Sequence, residues 1–137
     1  MSATPREVAE LVRRMVKGDE GIVFADLFAP DGVMEYPFTR PGDELILRGQ
    51  EEIRAFFKGR EAIRAQFEVG EVSSVIYETD DPEVVITQID HRGFSRATSA
   101  DYHVHALGVI RVRDGKIVHY TDYMNPLVIA QLTGQAG

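Results

Sequence analysis

The chain contains no cysteine among its 137 residues. That excludes disulfides, a thiol nucleophile and a thiolate metal site. No apolar run approaches the ~20 residues needed to cross a bilayer, and the opening stretch MSATPREVAELVRR lacks the apolar centre of a signal peptide. Gly-rich phosphate loops, a nucleophilic serine elbow and dinucleotide fingerprints are also missing. Positive charge is in short supply: 15 Lys and Arg stand against 22 Asp and Glu, a formal net charge of −7. Such a surface repels phosphate backbones, so nucleic acid is not expected as a partner. The one basic-looking stretch, RGQEEIRAFFKGREAIR (48–64), alternates base with acid and reads as a solvated helix face. These absences predict a cytoplasmic protein with no membrane and no nucleic-acid partner.

What is present is ordinary for a globular protein, with 44% hydrophobic and 27% charged residues. One domain spanning 1–137 is expected, long enough to bury roughly two-thirds of its unfolded surface. Thr4-Pro5 is a helix start, and Val8, Leu11, Val12 and Met15 recur at the spacing of a half-buried helix that stops at Gly18. A second short helix fits 20–28, and APDG (29–32) reads as a turn. VMEYPF (33–38) predicts a short strand, with Pro37 marking an edge or an end. Residues 39–49 read as an irregular loop or lid with Leu45 and Leu47 turned inward, and a third helix covers 50–65. Strands follow at 72–79, 83–94, 100–112 and 116–124, then a C-terminal turn, PLVIAQLTG. Helices first and long strands afterwards predict an α+β fold, with helices on one face of a curved antiparallel sheet.

Asp114-Gly115 between two alternating runs is a strong hairpin signal and allows side chains to be placed. If these two residues form the loop, Arg113 faces Lys116, Leu107 faces Asp122 and His105 faces Met124. One face then carries His103, His105, Leu107, Val109 and Arg111 with Val118, Tyr120, Asp122 and Met124. The opposite face is apolar too, which predicts that one face meets the helices and the other a second copy of the chain, a homodimer through the sheet. A bulge between residues 105 and 122 would break this register.

Asp122 lies in HYTDYMNPL (119–127), a run otherwise built for burial. Burying an ionised carboxylate costs several kcal/mol unless it is paired. Asp122 is therefore either a structural acid or a proton shuttle whose pKa is raised by desolvation. His105, diagonal to it in this register, is a core histidine or its base and orienter. His103 and His105 share a face in a way that suits a metal, but no third ligand stands at metal-site spacing, so neither a metal nor a cofactor is expected. His91 and His119 fall elsewhere and are assigned structural or surface roles. Tyr36, Phe38, Phe56 and Phe57 are plain core or the lining of a cavity for a flat ligand.

The order of elements resembles the nuclear transport factor 2-like superfamily, and within it the SnoaL-like polyketide cyclases and phenazine-biosynthesis A/B proteins. The resemblance covers nearly the whole chain and rests on FADLFAPDGVMEYPF (24–38), LRGQEEIRAFF (47–57), YETDDPEVV (77–85) and DGKIVHYTDYMNPL (114–127). It implies a cone of three N-terminal helices and a strongly bent sheet enclosing a pocket. In those proteins an acid on the last strand, just before an aromatic-Met/Trp-Asn segment, serves as general acid/base; Asp122 of TDYMN falls there, and His105 of YHVHAL matches a histidine on the preceding strand. The fold hosts isomerases, cyclases, hydrolases and non-enzymes, so it does not name a substrate.

The chain also departs from relatives. Where steroid isomerases carry EDP, this chain has EYP with Tyr36 in place of the acid, and their second acid aligns near Gly108. Asp101 and Arg111 substitute poorly for the Asp-Arg-Asp set of limonene-type epoxide hydrolases. The resulting expectation is a small cofactor-independent enzyme doing aldol-type cyclisation or isomerisation on a hydrophobic carbonyl compound, polycyclic ones included. Asp122 and His105 would be catalytic; Tyr36, Phe38, Phe56, Phe57, His103, Leu107, Tyr120, Met124 and Asn125 would bind substrate. The alternative is a ligand-binding or dimerisation module that kept the pocket without the chemistry.

Overall fold

A computed structural model describes residues 2–39, 41–42 and 45–132. Helix α1 (Pro5–Lys17) starts where the sequence places it: Thr4 Oγ1 accepts from the Glu7 backbone N–H, and Glu7 Oε1 accepts from the Thr4 N–H. This reciprocal cap satisfies two donors that a helix start leaves open. Val8, Ala9 and Val12 turn inward, and Gly18, at φ +114°, ends the helix in the left-handed region that glycine enters without strain.

A 3-10 turn at Phe24–Leu27 replaces the expected second helix and leads into β1 (Phe28–Tyr36). The APDG stretch lies within this strand as an irregularity between Phe28 and Val33, and not as a separate turn. β2 (Leu45–Arg48) pairs antiparallel with β1, so the second half of the expected loop is a strand, with Leu47 buried. Pro37 therefore ends β1 without making it an edge, since β2 takes that position. Positions 40, 43 and 44 of the lid reading lie outside the described residues, as do 133–134 of the C-terminal turn. The helix expected over 50–65 is broken into α2 (Gln50–Lys58) and α3 (Glu61–Arg64). Gly59 is a weak helix former at that break, and the Arg60 guanidinium stacks 4.1 Å above the Phe56 ring.

Strands β3 (Phe67–Glu78), β4 (Val84–Ser95), β5 (Ala100–Arg113) and β6 (Lys116–Met124) follow, then α4 (Pro126–Leu132). The six strands form one curved sheet in the order β2-β1-β6-β5-β4-β3, antiparallel except where β1 runs parallel to β6. α1 crosses β3, β4 and β5, while α2 packs on β1 and β2. Together they cover one face, the inner one. There Val8, Val12, Phe28, Met34, Ile53, Ile110 and Ile117 are almost completely shielded from water. Each such side chain stabilises the fold by roughly 1.5–3 kcal/mol through burial. The outer face leaves Val75, Tyr77 and Leu107 exposed. Among the described residues no helix is long and apolar enough to cross a membrane.

Candidate functional site

The Asp-Gly turn forms as its residues dictate, with Asp114 at φ +53° and Gly115 at φ +78°, the two left-handed positions of a type I′ hairpin. Arg113 pairs with Lys116 and Val112 with Ile117. The register then shifts: Arg111 pairs with His119, so Val118 is an extra residue on β6. From there Tyr120 faces Ile110, Asp122 faces Gly108 and Met124 faces Ala106. A one-residue slip sends each later side chain of one strand to the other face. Asp122 consequently looks inward, with the even-numbered residues of β5.

This corrects the expected constellation. His103, His105 and Leu107 lie on the outer face, away from Asp122, with His105 largely and Leu107 partly open to solvent. Asn125 points out of the site and its Oδ1 accepts from the Leu127 N–H at 2.9 Å, fastening the start of α4. Phe38 is exposed and packs edge-on against Tyr123. Phe56 stands behind the lining, in contact with Tyr36 and Phe57. Tyr36, Phe57, Tyr120 and Met124 do line a cavity with Asp122, of about 550 Å³.

That cavity sits between α1, α3 and the inner face of the sheet, walled mainly by apolar side chains. Asp122 Oδ1 is sealed from solvent and has no hydrogen-bond partner among the described residues. Loss of water raises the carboxyl from 3.8 to about 7. Its field, added to burial, pushes the phenols of Tyr36 and Tyr120 above their ordinary value. Both phenols therefore stay protonated donors at neutral pH. Tyr120 is held by Phe24, whose ring meets it edge-on at 5.7 Å. The space over Gly108 is what admits it: a Cβ on Gly108 would stand 2.9 Å from the Tyr120 hydroxyl.

Several lining groups were not anticipated. His91 and Tyr102 reach the cavity from β4 and β5, with His91 Nδ1 3.3 Å from the Tyr102 hydroxyl. Burial lowers the His91 pKa and favours its neutral ring, despite the opposing pull of Asp90. The sequence carries their signal in strand parity, since Val85, Ile89 and His91 alternate inward. Glu61 and Arg64 of α3 supply the charged part of the lining. A wider and more open hollow of about 730 Å³ lies over the ends of β3, β4 and β5. It is bordered by Glu68, Glu71, Arg92 and Asp101 and holds no sealed, unpaired acid, so the inner cavity is the stronger candidate.

A SnoaL-like domain profile matches residues 8–120. The chain belongs to the SnoaL-like family. An uncharacterised PhzA/B-like protein of Pseudomonas aeruginosa is 30% identical over 114 residues, covering 83% of this chain and 79% of that one. A Bacillus subtilis crystal structure, provisionally named an isomerase, superposes with a TM-score of 0.77 at 26% identity, covering 98% of both chains. A provisionally named polyketide cyclase of Pseudomonas putida shares the fold, with a TM-score of 0.70 at 16% identity over 99% of this chain and 100% of that one. The SnoaL-like, ketosteroid isomerase-like α+β fold expected from the sequence is thus the fold observed.

Proposed function

We propose that this SnoaL-like protein moves a proton α to a carbonyl group on a hydrophobic small molecule held in the inner cavity. The observation that carries the reading is Asp122: an acid with one oxygen sealed and without a partner among the described residues, poised near pH 7 and facing an apolar space. A general base works best when its pKa lies close to the ambient pH. The Asp122 carboxylate would take the α-proton, and the electron pair of the broken C–H bond would pass to the carbonyl oxygen as an enolate. Tyr36 or Tyr120 would donate a hydrogen bond to that oxygen, which suits phenols that burial keeps protonated. Where the substrate is a β,γ-unsaturated carbonyl compound, the enolate is a dienolate, and returning the proton at its γ-carbon gives isomerisation. Attack of the enolate carbon on a second carbonyl, with the Asp122 acid protonating the new alkoxide, gives aldol-type cyclisation. Every group in this scheme belongs to the chain, so the step is cofactor-independent. The volume of about 550 Å³ suits a ligand of two to four fused rings.

Deuterium exchange at the α-carbon of 2-tetralone, followed by NMR in D2O, tests this directly. Protein-dependent exchange should rise with pH through about 7 as Asp122 ionises. Asp122→Asn should reduce it by at least about 100-fold, the usual worth of a positioned base. Binding of the ketone with exchange no faster than in buffer would favour a non-catalytic binding module. Failure to bind at all would remove hydrophobic carbonyls as the ligand class.

A further inference from the structure

On the outer face, the same register that removes His103 and His105 from the cavity gives them another neighbour. Asp90 of β4 lies directly opposite His105 of β5, and His103 is its diagonal neighbour. The two imidazole rings stand 4.2 Å apart between centroids. Asp90 Oδ1 is hydrogen-bonded to His103 Nε2, and Asp90 Oδ2 lies 3.4 Å from His105 Nδ1. One ligating atom from each of the three falls within 4.8 Å of the other two.

We propose that Asp90, His103 and His105 bind one divalent transition-metal ion of the zinc class, with water completing its shell. Bonds of about 2.0–2.2 Å to nitrogen and oxygen put tetrahedral ligands about 3.3–3.5 Å apart. The Asp90–His105 pair already has that separation. His103 needs only to exchange its hydrogen bond to Asp90 for a shared ion. Two imidazoles and one carboxylate favour zinc, cobalt, nickel or copper over magnesium and calcium, which prefer all-oxygen shells. The frame is in place before the ion arrives, because β4 and β5 pair without interruption from Val84–Arg111 to Ser95–Ala100. The ligands are also reachable, with His105 64% exposed and Asp90 and His103 each about one-third exposed. Arg92 opposes the ion's charge from the same face, directly across from His103. It should hold the affinity down, and it makes the site breakable in both directions. The site is independent of proton transfer in the inner cavity.

Calorimetric titration of the EDTA-treated, dialysed chain with zinc chloride reads the proposal. The expected result is one ion per chain at roughly micromolar affinity. His103→Ala, His105→Ala and Asp90→Asn should each weaken binding at least about 10-fold, while Arg92→Gln should tighten it. His119→Ala, which removes a histidine paired with Glu35 instead, should leave binding unchanged. If a ligand variant fails to fold, ring-nitrogen NMR of the wild-type chain during titration keeps the question open to a clear answer. Zinc-dependent shifts confined to His103 and His105 support the site. No saturable binding below about 1 mM, or binding that survives both histidine substitutions, would overturn it.

Discussion

The two faces of the sheet treat their acids in opposite ways. On the outer face and its rim, Glu35 meets His119, Asp90 meets His103 and His105, and Glu83 is bracketed by Arg111 and Arg113. On the inner face Asp122 meets apolar walls and two phenols, with one oxygen sealed and unpaired. Glu83, held by two guanidinium groups, and Asp90, hydrogen-bonded by His103, are easier to ionise in the folded chain than in the unfolded one. An acid stripped of water is harder to ionise there. The first arrangement stabilises the fold near neutral pH and the second opposes it. A fold that tolerates the second at one position does so against its own stability, which is the usual mark of a site kept for chemistry.

The largest expected effect follows from that contrast. Asp122 titrates near 7 in the folded chain against 3.8 for an ordinary aspartate. Between those values the folded state holds a proton that the unfolded state has lost, so stability falls as pH rises from about 4 to about 7. Three pH units at about 1.4 kcal/mol each set a ceiling near 4 kcal/mol, and partial access to the cavity makes about 2–4 kcal/mol the expected loss. Asp122→Asn should recover most of it at pH 7.5 and almost none at pH 3.5, as read by urea unfolding at both pH values. A variant that is less stable at pH 7.5 would mean that Asp122 has a charged or hydrogen-bonding partner and belongs with the outer-face acids.

Much of the fold was legible in the sequence, and the failure at the site has one local cause. The helix cap at Thr4, the stop at Gly18, the Asp-Gly turn and the strands of the second half all follow from local chemistry and periodicity. So does the choice of Asp122, which stands out as an acid in an apolar run. Its partners did not follow, because a single unpaired residue, Val118, reverses the strand's faces without changing its length. The clue lies in parity. Ile117 and Tyr120 are both buried although three residues apart, which an unbroken strand cannot arrange on one face. On β5 the even set, Tyr102, Val104, Ile110 and Val112, is buried and more apolar than the odd set with its two histidines and two arginines. Matching the apolar sets across the hairpin demands the bulge. The third member of the proposed metal site was not legible for a related reason: Asp90 reaches His103 and His105 across a strand pair, where separation in sequence carries no information.

A smaller effect probes how the inner face makes room for its donors. Gly108 sits opposite Asp122, and the Tyr120 ring occupies the space its side chain would fill. By the sequence resemblance this is also near the position where steroid isomerases carry a second acid; here a buried phenol stands over it instead. Gly108→Val should force the ring aside against Phe24 and cost about 1–3 kcal/mol, the usual penalty for overpacking. It should also reduce exchange of 2-tetralone by displacing an enolate donor, whereas the zinc titration on the far face should not change. If the variant unfolds at the wild-type urea midpoint, Tyr120 is not wedged as tightly as its contacts require.

The smallest effect has the opposite sign in pH and completes the contrast. Arg113 donates to both oxygens of Glu83 at 2.8 and 3.0 Å, and Arg111 donates to one of them at 2.9 Å. Hydrogen bonds from Arg113 and then Arg111 hold the carboxyl down to about 2, against 4.5 for an ordinary glutamate. The folded chain therefore keeps this acid ionised where the unfolded chain has begun to protonate it. Its contribution is complete above about pH 4.5 and disappears as the pH falls toward 2. Because the ions are solvent-facing, the contribution is modest and should weaken further in about 1 M salt, where charges are screened within about 3 Å. Glu83→Gln should thus lower the melting temperature slightly at pH 7, less in high salt, and not at all near pH 2. Set beside Asp122→Asn, it separates two windows of acid titration. Between about pH 7 and 4 the inner acid makes the fold more stable as protons are added; between about 4.5 and 2 the bracketed outer acid makes it less so. A stability curve that loses its upper slope in Asp122→Asn and part of its lower slope in Glu83→Gln would assign each slope to its face. If the same substitution flattened both, the two faces would not be electrostatically distinct.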